Sequence, residues 1–152
     1  MSVTPRAAWQ LGFVLIGILA AGGSARAADA QFEAQLLWAT SSKTSPDPNH
    51  KPVDPEIRAK LARLHLKWDH FFLVSKTNYS LAVGASTNVV MSPKCALEHK
   101  LHDASKVEVT LIGKNGERSC RQSQPLPKKE MMVFGGNAPD ATAWLVTVRR
   151  IE

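Results

Sequence analysis

The sequence is poor in the features that usually announce a function. It has two cysteines, Cys95 and Cys120, among 152 residues, so at most one disulfide is open to it. No cysteine follows the apolar run near its start, which excludes a bacterial lipobox. No Gly-x-Ser-x-Gly elbow is present and no carboxylate pair stands out, so neither a serine hydrolase nor a glycosidase is indicated. Lys and Arg are not gathered into blocks, which argues against nucleic acid as a partner. Past residue 28 no apolar run approaches the ~20 residues that span a bilayer, and the end Val148-Arg149-Arg150-Ile151-Glu152 lacks the tail of a lipid-anchor signal.

What is present begins with export. A polar start containing Arg6 leads into the apolar run Leu11–Ala21, followed by the small-residue sites Ala25-Arg26-Ala27 and Ala28-Asp29-Ala30. This order reads as a signal peptide over residues 1–27, with cleavage after Ala27 or Ala30. The expectation is a soluble protein of the periplasm or extracellular space, with no stable membrane insertion once the leader is removed. Arg6 and Arg26 leave with it, taking the formal charge from +6 to +4. That mild excess suits an anionic envelope polymer better than nucleic acid.

Residues 28–152 are enough for one domain. Phe32, Ala34, Leu36 and Trp38 recur at period two and predict a strand. The stretch Ser41–Val53 holds Pro46, Pro48 and Pro52 among polar residues and predicts a loop, long enough to be a candidate for function. Asp54 as cap, Pro55 in the first turn and Glu56 at the positive end predict a helix over about 55–67. Its apolar stripe would be Ile57, Leu61, Leu64 and Trp68, with Lys60, Arg63 and Lys67 on a neighbouring sector.

From Phe71 onward the chain reads as short strands: 71–76, 79–83, 87–91, 95–101, 106–113, 117–124, 130–134 and 143–149. Asn115-Gly116 predicts a two-residue hairpin turn that pairs Lys114 with Glu117 and sets Cys120 opposite Leu111. The fold class expected is mainly β, an antiparallel β-sandwich or partly closed barrel of about eight short strands with one helix near the N-terminus.

Chemistry is thinly marked. In the hairpin register Cys95 and Cys120 lie on strands either side of a central one, about 9.6 Å apart, beyond disulfide reach. An oxidising compartment favours the bond, so Cys95–Cys120 stays open as a disulfide. His99 and His102, with Asp103 and Cys95 nearby, suggest a metal, but residues three apart on a strand face opposite ways and the cluster disperses. No metal, cofactor or catalytic residue is assigned. Phe71-Phe72 is more informative, because adjacent strand residues face opposite ways, so unless both faces of the sheet are covered one of the two rings sits in solvent or at an interface.

The function expected is a non-enzymatic exported domain that binds an envelope protein or an anionic glycan through Lys60, Arg63, Lys67, Phe71 and Phe72. The alternative is a small secreted enzyme or enzyme inhibitor working through the 41–53 and 135–140 loops.

Overall fold

A computed structural model describes residues 28–138 and 140–152; the signal peptide expected at 1–27 lies outside them. Within these residues nine strands and one helix run in the order β1 (Ala30–Thr40), β2 (Lys51–Pro52), α1 (Pro55–Ala62), β3 (His70–Leu81), β4 (Ser86–Ser92), β5 (Cys95–Leu101), β6 (Lys106–Gly113), β7 (Arg118–Pro125), β8 (Met131–Asn137) and β9 (Ala143–Arg150). They form two antiparallel sheets, of order β2-β3-β1-β9-β8 and β4-β5-β6-β7, and among the described residues no barrel closes. The chain is mainly β and sandwich-like, as its alternation implies. Among the described residues no helix is long and apolar enough to cross a membrane.

Alternation along β1 divides the interior in two. Phe32, Ala34 and Leu36 face the second sheet and pack with Val89, Leu97, Val107, Val109, Phe134 and Val148. Leu37 and Ala39 face the other way and pack with Val53, Ile57, Leu61, Phe71 and Leu145, beneath α1. The long sheet is thus covered on both faces, which is why β1 is buried almost throughout.

The same covered outer face holds a charge cluster. Glu33, 3% exposed, accepts from Lys76 Nζ at 2.9 Å and Arg149 Nη2 at 3.0 Å. Arg149 Nη1 reaches Glu56 of α1 at 3.0 Å. A buried carboxylate without cations would cost several kcal/mol, so these partners are a condition of the fold.

Four local features differ from the sequence reading. The helix ends at Ala62 instead of 67. Arg63 and Leu64 donate back to Lys60 and Leu61 three residues earlier, and His65 then takes a positive φ of 51°, which breaks the helix without a glycine. Leu64 consequently stands 49% exposed instead of joining Ile57 and Leu61. The segments expected at 71–76 and 79–83 are one strand, because Thr77 and Asn78 pair with Ala34 and Glu33 of β1, and such pairing overrides asparagine's weak strand preference.

Within the loop, Lys51 and Pro52 form β2 against Leu73 and Phe72. The β6–β7 turn is a residue longer than expected: Gly116 N donates to Gly113 O, Gly113 N donates to Glu117 O, and only Gly116 has positive φ, at 76°. That is a three-residue loop with a glycine bulge. A second irregularity skips Ser119, so Leu111 still faces Cys120.

Candidate functional site

The two sheets do not meet along their whole length. Between them, on the side where β7 and β8 are the sheet edges, lies a cleft of about 580 Å³, within the range of small-ligand sites. The long sheet supplies Leu36, Phe134, Gly135, Gly136, Trp144 and Val146; the short sheet supplies Leu111, Ile112, Cys120 and the β4–β5 turn from Ser92 to Cys95. The lining is dominated by apolar groups, and the titratable groups in it are Lys94 and the two thiols. Burial pushes the Cys95 thiol above its ordinary value, which opposes a reactive thiolate.

Cross-strand register explains the aromatic lip of this cleft. Pro52, Phe72, Trp38, Trp144 and Gly136 stand directly opposite one another across β2, β3, β1, β9 and β8. They share the face that carries Leu36 and Val146 two positions along. Trp38 and Trp144 meet edge to face with centroids 4.5 Å apart. Trp144 remains 41% exposed, while Trp38 and Phe72 are half-buried.

Phe71 and Phe72 therefore have different fates: Phe71 is buried beneath α1 and Phe72 joins the aromatic row. The three cations do not form a helical face with them. Lys60 is half-buried, donates to the carbonyl of Lys129 and lies 3.7 Å from Glu56. Arg63 is the C-cap. Lys67 lies beyond the helix, 4.8 Å over the Trp68 ring, whose Nε1 donates to the carbonyl of Ala141 at 2.7 Å.

Cys95 and Cys120 are free; Cys95 faces Gly113 and Cys120 faces Leu111, on opposite flanks of β6. Both line the cleft.

The 41–53 loop brings Ser45, Asp47 and His50 together: Ser45 Oγ lies 2.6 Å from His50 Nδ1, and Asp47 Oδ2 lies 3.8 Å from His50 Nε2. These residues also satisfy the loop's own backbone, since Ser45 Oγ accepts from Asp47 N and Asp47 Oδ1 from Asn49 N. They hold the loop's shape, an ordinary use of Ser and Asp in turns.

His99 is fully buried, hydrogen-bonded through Nδ1 to the Tyr79 hydroxyl at 2.7 Å and packed against Phe32. Burial pushes its pKa down to about 4 and raises that of Tyr79, so both are neutral core groups near neutral pH. Among the described residues no group of three His, Cys, Asp or Glu side chains is placed to hold a metal.

A scan against protein-family models, a search of curated proteins and a search of solved structures found no match to this chain.

Proposed function

We propose that the protein is an exported, non-enzymatic binding module whose ligand occupies the cleft between the two sheets. The observation that carries this reading is the cleft's composition: aliphatic and aromatic walls with an exposed tryptophan at the lip. Binding there gains from burying apolar surface, at about 25 cal/mol per Å². Of the two ligand classes the sequence suggests, an envelope protein is favoured over a glycan. A sugar needs hydrogen-bonding groups beside its stacking platform, and these walls offer few.

Export rests on the leader. Cleavage after Ala27 also suits the fold better than cleavage after Ala30, because Ala30 is the first, buried residue of β1 and pairs with Leu81.

The test uses the purified protein and anilinonaphthalene sulfonate, an anionic dye with an apolar ring system, read by dye emission and by tryptophan fluorescence. Saturable binding to the native fold that is weakened in both Trp144→Ala and Ile112→Glu supports the cleft. Binding equal in wild type and both folded variants overturns it.

A further inference from the structure

The cleft is bordered by a sheet edge, and its two neighbouring edges are built differently. On β7, Arg118 holds Glu98 through two hydrogen bonds, Arg121 pairs with Glu108 at 2.7 Å, and Pro125 ends the strand. Charge and proline are the ordinary protections of an exposed edge. β8, Met-Met-Val-Phe-Gly-Gly-Asn, has neither.

Its hydrogen-bond phase is fixed at both ends. Arg150 N donates to Glu130 O, and Ala138 N donates to Thr142 O. In an antiparallel ladder with this register, Met132, Phe134 and Gly136 therefore bond to β9, and Met131, Val133 and Gly135 turn their N–H and C=O groups outward. Among the described residues no hydrogen bond meets those outward groups.

A hollow flanks β8 on each face. One is the cleft with Phe134, Gly136 and Trp144. The other, about 480 Å³, lies on the helix side and is lined by Leu64, Leu66, Trp68, Val133 and Leu145. Leu64 and Trp144, two of the exposed large apolar side chains, stand one in each hollow.

We infer that the ligand is an extended peptide segment of a partner protein, adding as a strand to the open edge of β8. This deepens the binding reading above and rests on it. The outward backbone groups match another peptide backbone and neither a sugar nor a lipid chain. Successive side chains of an added strand point to opposite faces, so they enter the two hollows alternately. With both hollows apolar, the segment recognised is a short continuous apolar run instead of an alternating one. A second copy of this chain fits less well, because its edge strand would bring a whole sheet into a cleft bounded on its far side by β7.

The test uses the purified protein and a peptide of five consecutive valines flanked by lysines, with amide exchange followed by NMR. Expected are fast exchange at Val133 and Gly135 in the free protein, protection there on binding, and little change at Phe134 and Gly136. Methylating all five valine nitrogens should weaken binding about tenfold or more, since in either register it removes the donors to the edge. Gly135→Pro should do likewise; its outward N–H makes no bond in the fold, and a Cβ at this position meets only the end of the Leu145 side chain, at 3.1 Å.

Unchanged affinity of the methylated peptide overturns the inference whether or not Gly135→Pro folds. So does protection of Val133 and Gly135 already present in the free protein, or lost on dilution, which marks an edge covered by its own chain or by a second copy. Binding that quenches Trp144 without protecting Val133 and Gly135 overturns strand addition and leaves the cleft as the binding site.

Discussion

The buried His99 gives the fold an acid sensitivity that can be assigned to one side chain. In the unfolded chain the imidazole takes a proton near pH 6.5, and in the folded protein burial holds that event down to about 4. Between those values the unfolded state binds a proton the folded state refuses, so stability falls as pH is lowered through the window. The slope is about 1.4 kcal/mol per pH unit, and the whole window is worth about 3 kcal/mol, a large part of a small domain's total.

Glu98, Asp103 and Glu108 act in the same direction. Arg118, the backbone N–H of Ser105, and Arg121, respectively, hold these carboxyls below their ordinary values, so the stability they contribute is lost as pH falls below those ordinary values. In His99→Leu the histidine contribution vanishes while theirs stays. The variant should be less stable by about 1 kcal/mol near neutral pH, where the Tyr79 hydroxyl loses its partner. Between about pH 7 and pH 4.5 the gap should close or reverse, because the wild type alone loses about 2–3 kcal/mol to histidine protonation. Urea titrations of both proteins at several pH values provide the measurement. Parallel pH profiles would refute the argument and mean that His99 is accessible to protons in the native state.

Other expectations concern the charge cluster, the hairpin, the basic residues and the leader. Arg149→Met leaves buried Glu33 with Lys76 as its remaining cation and should cost about 3 kcal/mol in a denaturant titration. Gly116→Val places a β-branched residue at a φ of 76° and should cost about 2 kcal/mol, while Asn115→Ala, at negative φ, costs less; melting temperatures report both. Arg63→Glu combined with Lys67→Glu should leave dye binding in the cleft unchanged in the same fluorescence titration, whereas a tenfold loss would return the ligand to the basic sector. Mass spectrometry of the exported protein should find Ala28 at the amino terminus.

Much of the fold was legible because strand alternation is a local signal. Phe32, Ala34 and Leu36 on one face and Val107 and Val109 on another strand needed only the period of two. The pairing of Cys120 with Leu111 was also anticipated, but through two compensating departures: a turn one residue longer than expected and a skipped Ser119. The helix end was not legible, since no glycine or proline marks it and His65 turns the chain by adopting a conformation its residue type does not advertise.

The site was the least legible part. Leu36, Cys95, Leu111, Cys120, Phe134 and Trp144 come from six strands, and sequence spacing does not bring them together. Sheet order decides that, and with it which edges lie open. The basic residues near Phe72 looked promising because they are close in sequence, yet Lys60 is engaged with Glu56 and the Lys129 carbonyl. One signal was available: Trp144 alternates with the apolar residues Val146 and Val148, which placed a large aromatic at the end of a core-facing row.

The cleft carries its own reporters. Cys95 and Cys120 are free and line it from opposite flanks of β6, so their alkylation rates, resolved by mass spectrometry, test occupancy without altering the protein. Saturating amounts of the lysine-flanked valine peptide should slow iodoacetamide labelling of both cysteines together. Unchanged rates at both, with the peptide demonstrably bound, would place the ligand elsewhere and contradict the account.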